Sequence, residues 1–183
     1  MSALFNLYGQ IATAITDNVP EIKHVDIDIG QLKKEGAEIP VVYPAVLIRI
    51  ENVYWRDYDA AKQIGVVHLR LKIIYPFENE TEYYSAPHGV RTEMATFYAI
   101  VENVNRYVSL IAPGTFTRLN RFNEAHLETN PEEQKWIYGL DYYCNVYSDG
   151  SDFIDGESFD FDYDSLLKFD ALLDRTLRGK KVG

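Results

Sequence analysis

The chain has 183 residues, 46% of them hydrophobic and 25% charged, with a formal net charge of −10. That length fits one domain plus an arm, with enough apolar content for a core without disulfides or metals. The acidic balance argues against a free-standing nucleic-acid binder, which needs Lys and Arg to displace counterions from phosphates.

Ser2 is placed to cap a first helix in which Leu4, Leu7, Tyr8, Ile11 and Ile15 recur at helical spacing. Asp17-Asn18-Val19-Pro20 ends it, because proline excludes helical geometry for the residue before it. His24-Val25-Asp26-Ile27-Asp28-Ile29 then alternates polar and apolar. This predicts a strand with Val25, Ile27 and Ile29 inward and His24, Asp26 and Asp28 on a solvated face.

After a loop from about Gly30 to Ile39, the run from Tyr43 to Ile50 begins a second strand reaching about Trp55. Its near-continuous apolar character predicts an interior place in the sheet, with Pro44 confined to its start. Gly65 precedes a third strand with Val67, Leu69, Leu71, Ile73 and Tyr75 on one face and His68, Arg70 and Lys72 on the other. A long second helix follows, striped by Val90, Met94, Phe97, Val101, Val104, Val108 and Ile111 and stopped by Pro113-Gly114. Two more strands span roughly Phe116–Leu127, with Leu119, Ala125 and Leu127 as inward candidates, and Trp136–Val146. In the latter every second residue, from Trp136 to Val146, is apolar or aromatic. The turn Asn130-Pro131-Glu132-Glu133 joins the two as a hairpin.

Beyond Asp149 the composition changes. Acidic residues interleave with Phe153, Phe159, Phe161 and Tyr163, without helical period, up to Asp164. An amphipathic helix is then predicted, with Leu166, Phe169, Leu173 and Leu177 on one side, Arg175, Arg178, Lys180 and Lys181 at its end and Gly179 as its stop. The predicted fold class is α+β: a mostly antiparallel sheet of four to five strands with two helices packed on one face, plus a C-terminal extension. The boundary between domain and arm is set at residues 1–148 and 149–183.

Chemistry is sparse in this pattern. Cys144 is the single cysteine, which suits a reducing compartment, and its mid-strand inward position reads as a small buried hydrophobe rather than a nucleophile. No Gly-x-Ser-x-Gly, phosphate-cradling Gly-x-x-x-x-Gly-Lys or Gly-x-Gly-x-x-Gly occurs. His24, Asp26 and Asp28 share a strand face, but structural metal sites rarely draw every ligand from one strand. His68, His88 and His126 lie apart, each without an evident partner set. Asp152-Phe153-Ile154-Asp155-Gly156 misses the calcium-loop spacing, because its third position bears no oxygen. The expectation is therefore no catalytic residues, no cofactor and no metal. The first residues lack a basic and an apolar signal region, and no apolar run is long enough to cross a bilayer, so the expected place is the cytoplasm or an assembled particle without membrane contact.

The opening helix Leu4–Asp17, the stretches Tyr43–Ile50 and Val66–Tyr75, the long helix Val90–Ile111 and the late strand Trp136–Tyr147 follow one another in a layout that resembles the tail-terminator, or tail-completion, proteins of long-tailed bacteriophages. The resemblance covers about residues 1–149. It implies a small domain that assembles with itself as a ring, typically hexameric, on the end of the tail tube. Such a ring terminates tube growth and joins the tail to the head, in contact with the tail tube protein and with connector or portal-side proteins. DNA passes through it without specific binding, and the family carries no catalytic residues. The extension beyond residue 149 departs from that pattern, which leaves another neck ring such as a head–tail connector as an alternative. From a different class, an acidic inhibitor or DNA mimic also suits the charge. Aromatic anchors in a soluble acidic arm suit docking between subunits, so Phe153, Phe159, Phe161, Tyr163, Leu166, Phe169 and Leu173 are the interface candidates.

Overall fold

A computed structural model describes residues 2–30, 32, 41–58, 62–77, 88–130, 135–149 and 151. In chain order the elements are helix α1 (Ala3–Asn18), strands β1 (His24–Ile27), β2 (Ala45–Asp57) and β3 (Gln63–Pro76), helix α2 (His88–Ser109), and strands β4 (Asn120–Asn130) and β5 (Lys135–Tyr147). The five strands form one sheet in the order β1-β2-β3-β5-β4. Only β1 and β2 run parallel; every other neighbouring pair is antiparallel. The predicted α+β class, the element order and the β4–β5 hairpin are what the structure shows.

One face of the sheet carries the main core. Val46 and Ile48 of β2, Val67, Leu69, Leu71 and Ile73 of β3, and alternate residues of β5 from Trp136 to Val146 all point into it. Leu7, Ile11 and Ile15 of α1 and Phe97, Val101, Val104 and Val108 of α2 close it from above. The helical stripes and strand alternations therefore meet on one surface, and burial of each large apolar side chain contributes about 1.5–3 kcal/mol. Tyr142 is fully buried there, and its hydroxyl donates to Asn105 Oδ1 of α2 at 2.9 Å. That bond answers the polar end of an otherwise apolar ring.

Several details differ from the sequence expectation. β3 begins at Gln63, so Gly65 lies inside the strand rather than before it. A Cβ there would stand 2.7 Å from the Trp55 ring on the neighbouring strand. β2 carries a bulge between Ile50 and Asn52, after which the inward parity passes from even residues to Val53. α2 ends at Ser109, ahead of the Pro113 stop, and Ile111 packs against the core from beyond the helix.

The fourth strand starts at Asn120, with Phe116 joined to Val146 only by an isolated bridge. Leu119 is buried in the main core, but Leu127 packs on the opposite face, beside a small cluster of Ala45, Leu47, Ile74 and Ile137. The bulge between Arg121 and Asn123 explains the change, since it shifts the alternation by one residue ahead of Leu127. The predicted C-terminal helix, and with it Phe153, Phe159, Phe161, Tyr163, Leu166, Phe169 and Leu173, lies outside the described residues.

Candidate functional site

The sheet face away from the helices carries a polar row that crosses β2, β3, β5 and β4 and continues past the end of β1. Arg49 of β2 stands opposite Arg70 of β3, Arg70 opposite Asp141 of β5, and Asp141 opposite Asn123 of β4. Asp28 extends the row past the end of β1, its N–H donating to Ile48 O at 2.9 Å. Antiparallel register places directly opposed side chains within reach, which is why one residue per strand suffices.

The charges in this row are mutually paired. Arg70 grips Asp141 with two bonds, Nε to Oδ1 at 2.6 Å and Nη2 to Oδ2 at 3.0 Å, and Asn123 Nδ2 donates to the same carboxylate at 2.9 Å. Glu51 sits between Arg49 and Arg70, at 3.3 and 3.7 Å. Lys72 Nζ lies 2.6 Å from Asp28 Oδ2, with Arg49 at 3.9 Å and the Gly30 N–H donating to Oδ1 at 3.0 Å. Gly30 supports that turn at φ 82°, in the left-handed region that suits glycine. Three cations thus balance three carboxylates.

The Asp28 side chain is only 1% exposed. Burial alone would raise its pKa. The Lys72 bond, the Gly30 N–H and the charges of Lys72 and Arg49 outweigh that and hold it below the usual carboxylate range. It stays ionised at neutral pH, the reverse of a carboxyl poised as a general base. The row also divides this face. Ala45, Leu47, Ile74 and Ile137 lie to one side, and the rings of Tyr54, His68, Phe122 and Tyr143 lie to the other, in successive contact at 5.4–6.1 Å.

At the β1 margin the faces are as predicted, with Val25 packed against the main core, but burial runs against expectation. Asp28 is buried, whereas Ile27 and Ile29 are 47% and 63% exposed. Among the described residues, the first turns of α1 stand over that margin. Lys72, reaching from β3, seals the polar side. The result is a groove of about 540 Å³ between Leu4, Phe5 and Tyr8 of α1 and the residues Ile27–Gly30 and Ile48–Ile50. Phe5, 62% exposed, forms its outer lip. The alternation of Ile27 and Ile29, which is that of core residues, concealed it. Phe5 stands outside the stripe Leu4, Leu7, Ile11 and was the one legible hint.

Among the described residues the remaining chemistry-bearing groups do not converge. Cys144 is fully buried, and burial pushes its thiol well above the ordinary value. His24 lies 3.8 Å from Asp26, and the exposed His126 stacks edge-on to Tyr138. Among the described residues no group of three His, Cys, Asp or Glu side chains is arranged to hold a metal, and no helix is long and apolar enough to cross a membrane.

Comparison with known proteins yields a likeness of backbone only. No family model matches the chain, and no curated protein matches it. Among solved structures, the chain is similar to one from the virion of a native gene transfer agent (GTA) particle. The identity is 10%, the TM-score 0.48, and the match covers 77% of this chain and 94% of that one.

Proposed function

We propose that this chain is a structural virion subunit that forms a homo-oligomeric, hexameric ring at the end of a phage tail tube, terminating tail growth and joining tail to head. Its partners on this reading are further copies of itself, the tail tube protein and the connector or portal-side proteins, and it catalyses no reaction. The observation that carries the reading is the apolar groove at the β1 margin. Phe5, Ile27 and Ile29 are displayed together there, and contiguous exposed apolar groups of this kind mark interaction surfaces. The paired charges of the sheet face support it, since groups that neutralise one another fix register and shape rather than attack a substrate. The order of elements agrees with the tail-terminator resemblance. Net negative charge suits a ring through which DNA slides without adhering.

Size-exclusion chromatography with light scattering, followed by negative-stain imaging of the purified chain, tests this directly. A ring with a central hole is expected. A strict monomer at high concentration, or a salt-sensitive complex with a single basic partner, overturns it.

A further inference from the structure

The sheet has two margins whose backbone points outward. β1 covers only Ala45–Ile48 of β2, so past that point β2 is itself the outermost strand. Its backbone alternates in direction. Ile48 O turns outward to the Asp28 N–H, whereas the Tyr58 N–H turns inward to Lys62 O across the hairpin. Carried through the bulge between Ile50 and Asn52, this alternation points the N–H and C=O of Val53, Trp55 and Asp57 away from β3. On the other side, Gln63 O accepts from the Ser148 N–H and Asn145 O from the Thr117 N–H. The same count gives the outward groups of β4 to Arg121, Glu124 and His126. Among the described residues no backbone partner meets either set. The β1 margin differs, because the outward N–H of Ile27 is taken by Asp26 Oδ1 at 2.7 Å.

The two margins are complementary. β2, β3, β5 and β4 alternate in direction, so copies laid side by side in one orientation bring β4 against β2 antiparallel. On both margins the outward residues turn their side chains to the helical face, where Val53 packs on the core and the His126 ring on Tyr138. Pairing therefore keeps the helices of both copies on one side. Charge selects the register. With Glu124 opposite Trp55 and His126 opposite Val53, Asp57 falls to Arg121 across the β4 bulge. The next register sets Glu124 against Asp57, two like charges. Bulges and charges on β4 turn away unmatched edges. They leave Asn123–His126 as a regular run of four residues, the length of the ladder that holds β1 on β2.

We propose that β4 of one copy, at Asn123–His126, pairs antiparallel with β2 of a second copy, at Val53–Asp57, and joins the two sheets. The contact unites two different patches and is head-to-tail, the class that closes into rings. Its register shifts the second copy by about 20 Å along the strands over about 19 Å of sheet width, a tilt of roughly 45°, as in closed sheets. The proposal rests on the self-assembly reading above and names the strands that perform it.

The test uses the full chain. Trp55→Cys and Glu124→Cys variants are mixed under mild oxidation, to which the buried Cys144 is closed. A disulfide-linked dimer containing one chain of each variant is expected, and a single chain carrying both substitutions should give a ladder of multimers. A disulfide confined within one chain, or none at all, overturns the proposal. Glu124→Pro deletes an outward N–H and leaves the β5 ladder intact, so it should fold and weaken self-association at least about tenfold. Ala125→Pro, whose N–H bonds to β5, should instead lower the melting temperature. A folded Glu124→Pro chain that associates like the parent overturns the proposal. Light scattering on the same samples separates the two levels of inference. Oligomers without the disulfide remove this strand pairing and leave the ring standing, whereas monomers throughout remove both.

Discussion

Arg70 and Asp141 face each other across β3 and β5 and share two parallel hydrogen bonds, of 2.6 and 3.0 Å. The pair is unequal in solvent: the arginine side chain is 32% exposed, the aspartate 8%. Removing the cation therefore strands a buried carboxylate, whereas removing the carboxylate frees a guanidinium that water still reaches. Arg70→Ala is expected to cost about 2–3 kcal/mol and Asp141→Ala about 1–2 kcal/mol. The double variant should lose less than the sum, because the stranded charge is gone. Urea denaturation of the three variants measures this, and strictly additive losses would contradict the pairing.

The same residues show what was legible in advance. Arg70 and Lys72 alternate with Leu69, Leu71 and Ile73, and Asp141 alternates with Leu140 and Tyr142, so strand periodicity alone assigns all three to the outer face. The core of β5 was readable for the same reason. Periodicity says nothing about which strands are neighbours, however, so the row from Asp28 to Asn123 required the sheet order. Bulges are equally silent, since an extra residue in β4 leaves Leu127 apolar while turning it to the other face. Ile27 and Ile29 misled because alternation reports two faces and not which of them is covered. The pattern of Asp28 gave no warning that Lys72, two strands away, would bury it.

Asp28 predicts a definite response to acid. Its folded-state pKa lies below the ordinary value, so the unfolded chain binds its proton more readily. Stability from Asp28 is fully present at neutral pH. It begins to fall as the pH drops toward the unfolded carboxylate value of about 3.9, and it is lost below the depressed folded value. Asp28→Asn should flatten that acid limb in thermal melts taken between pH 7 and pH 2. Lys72→Met leaves the carboxylate buried with the Gly30 N–H and, as its one cation, the more distant Arg49, and should cost about 2–4 kcal/mol at pH 7. A Lys72→Met variant as stable as the parent would mean that Asp28 is solvated.

Gly139 and Leu127 should compensate for one another. A Cβ on Gly139 would meet Leu127 Cδ1 at 2.9 Å and its Cγ and Cδ2 at 3.0 Å. Leu127 is itself packed against the cluster of Ala45, Leu47, Ile74 and Ile137, so it has little room to retreat. Gly139→Ala alone should destabilise by about 1–3 kcal/mol through overpacking. Adding Leu127→Ala vacates the space, so the second substitution should cost less in the Gly139→Ala background than in the parent. Equal costs in both backgrounds, read from denaturation midpoints, would remove the steric explanation.

Cys144 offers a last test, of the sheet core and of any catalytic use of the thiol. It lies opposite Val67 in mid-strand, fully buried, and burial alone drives its pKa upward. A thiol held protonated in the folded chain cannot attack, so an aromatic disulfide reagent should label denatured protein promptly and folded protein only as fast as it opens. The linkage runs opposite to that of Asp28. The unfolded thiol ionises above about pH 8.5 while the folded one does not, so stability from Cys144 is whole below that pH and declines as the pH rises past it. Cys144→Ala should abolish that alkaline slope at a cost of about 1–2 kcal/mol from the lost sulfur. Cys144→Ser should cost more than Cys144→Ala, because it buries a hydroxyl among apolar neighbours. Rapid labelling of the folded chain at pH 7 would show a thiol open to solvent, and with it a β5 that is not sealed beneath α2.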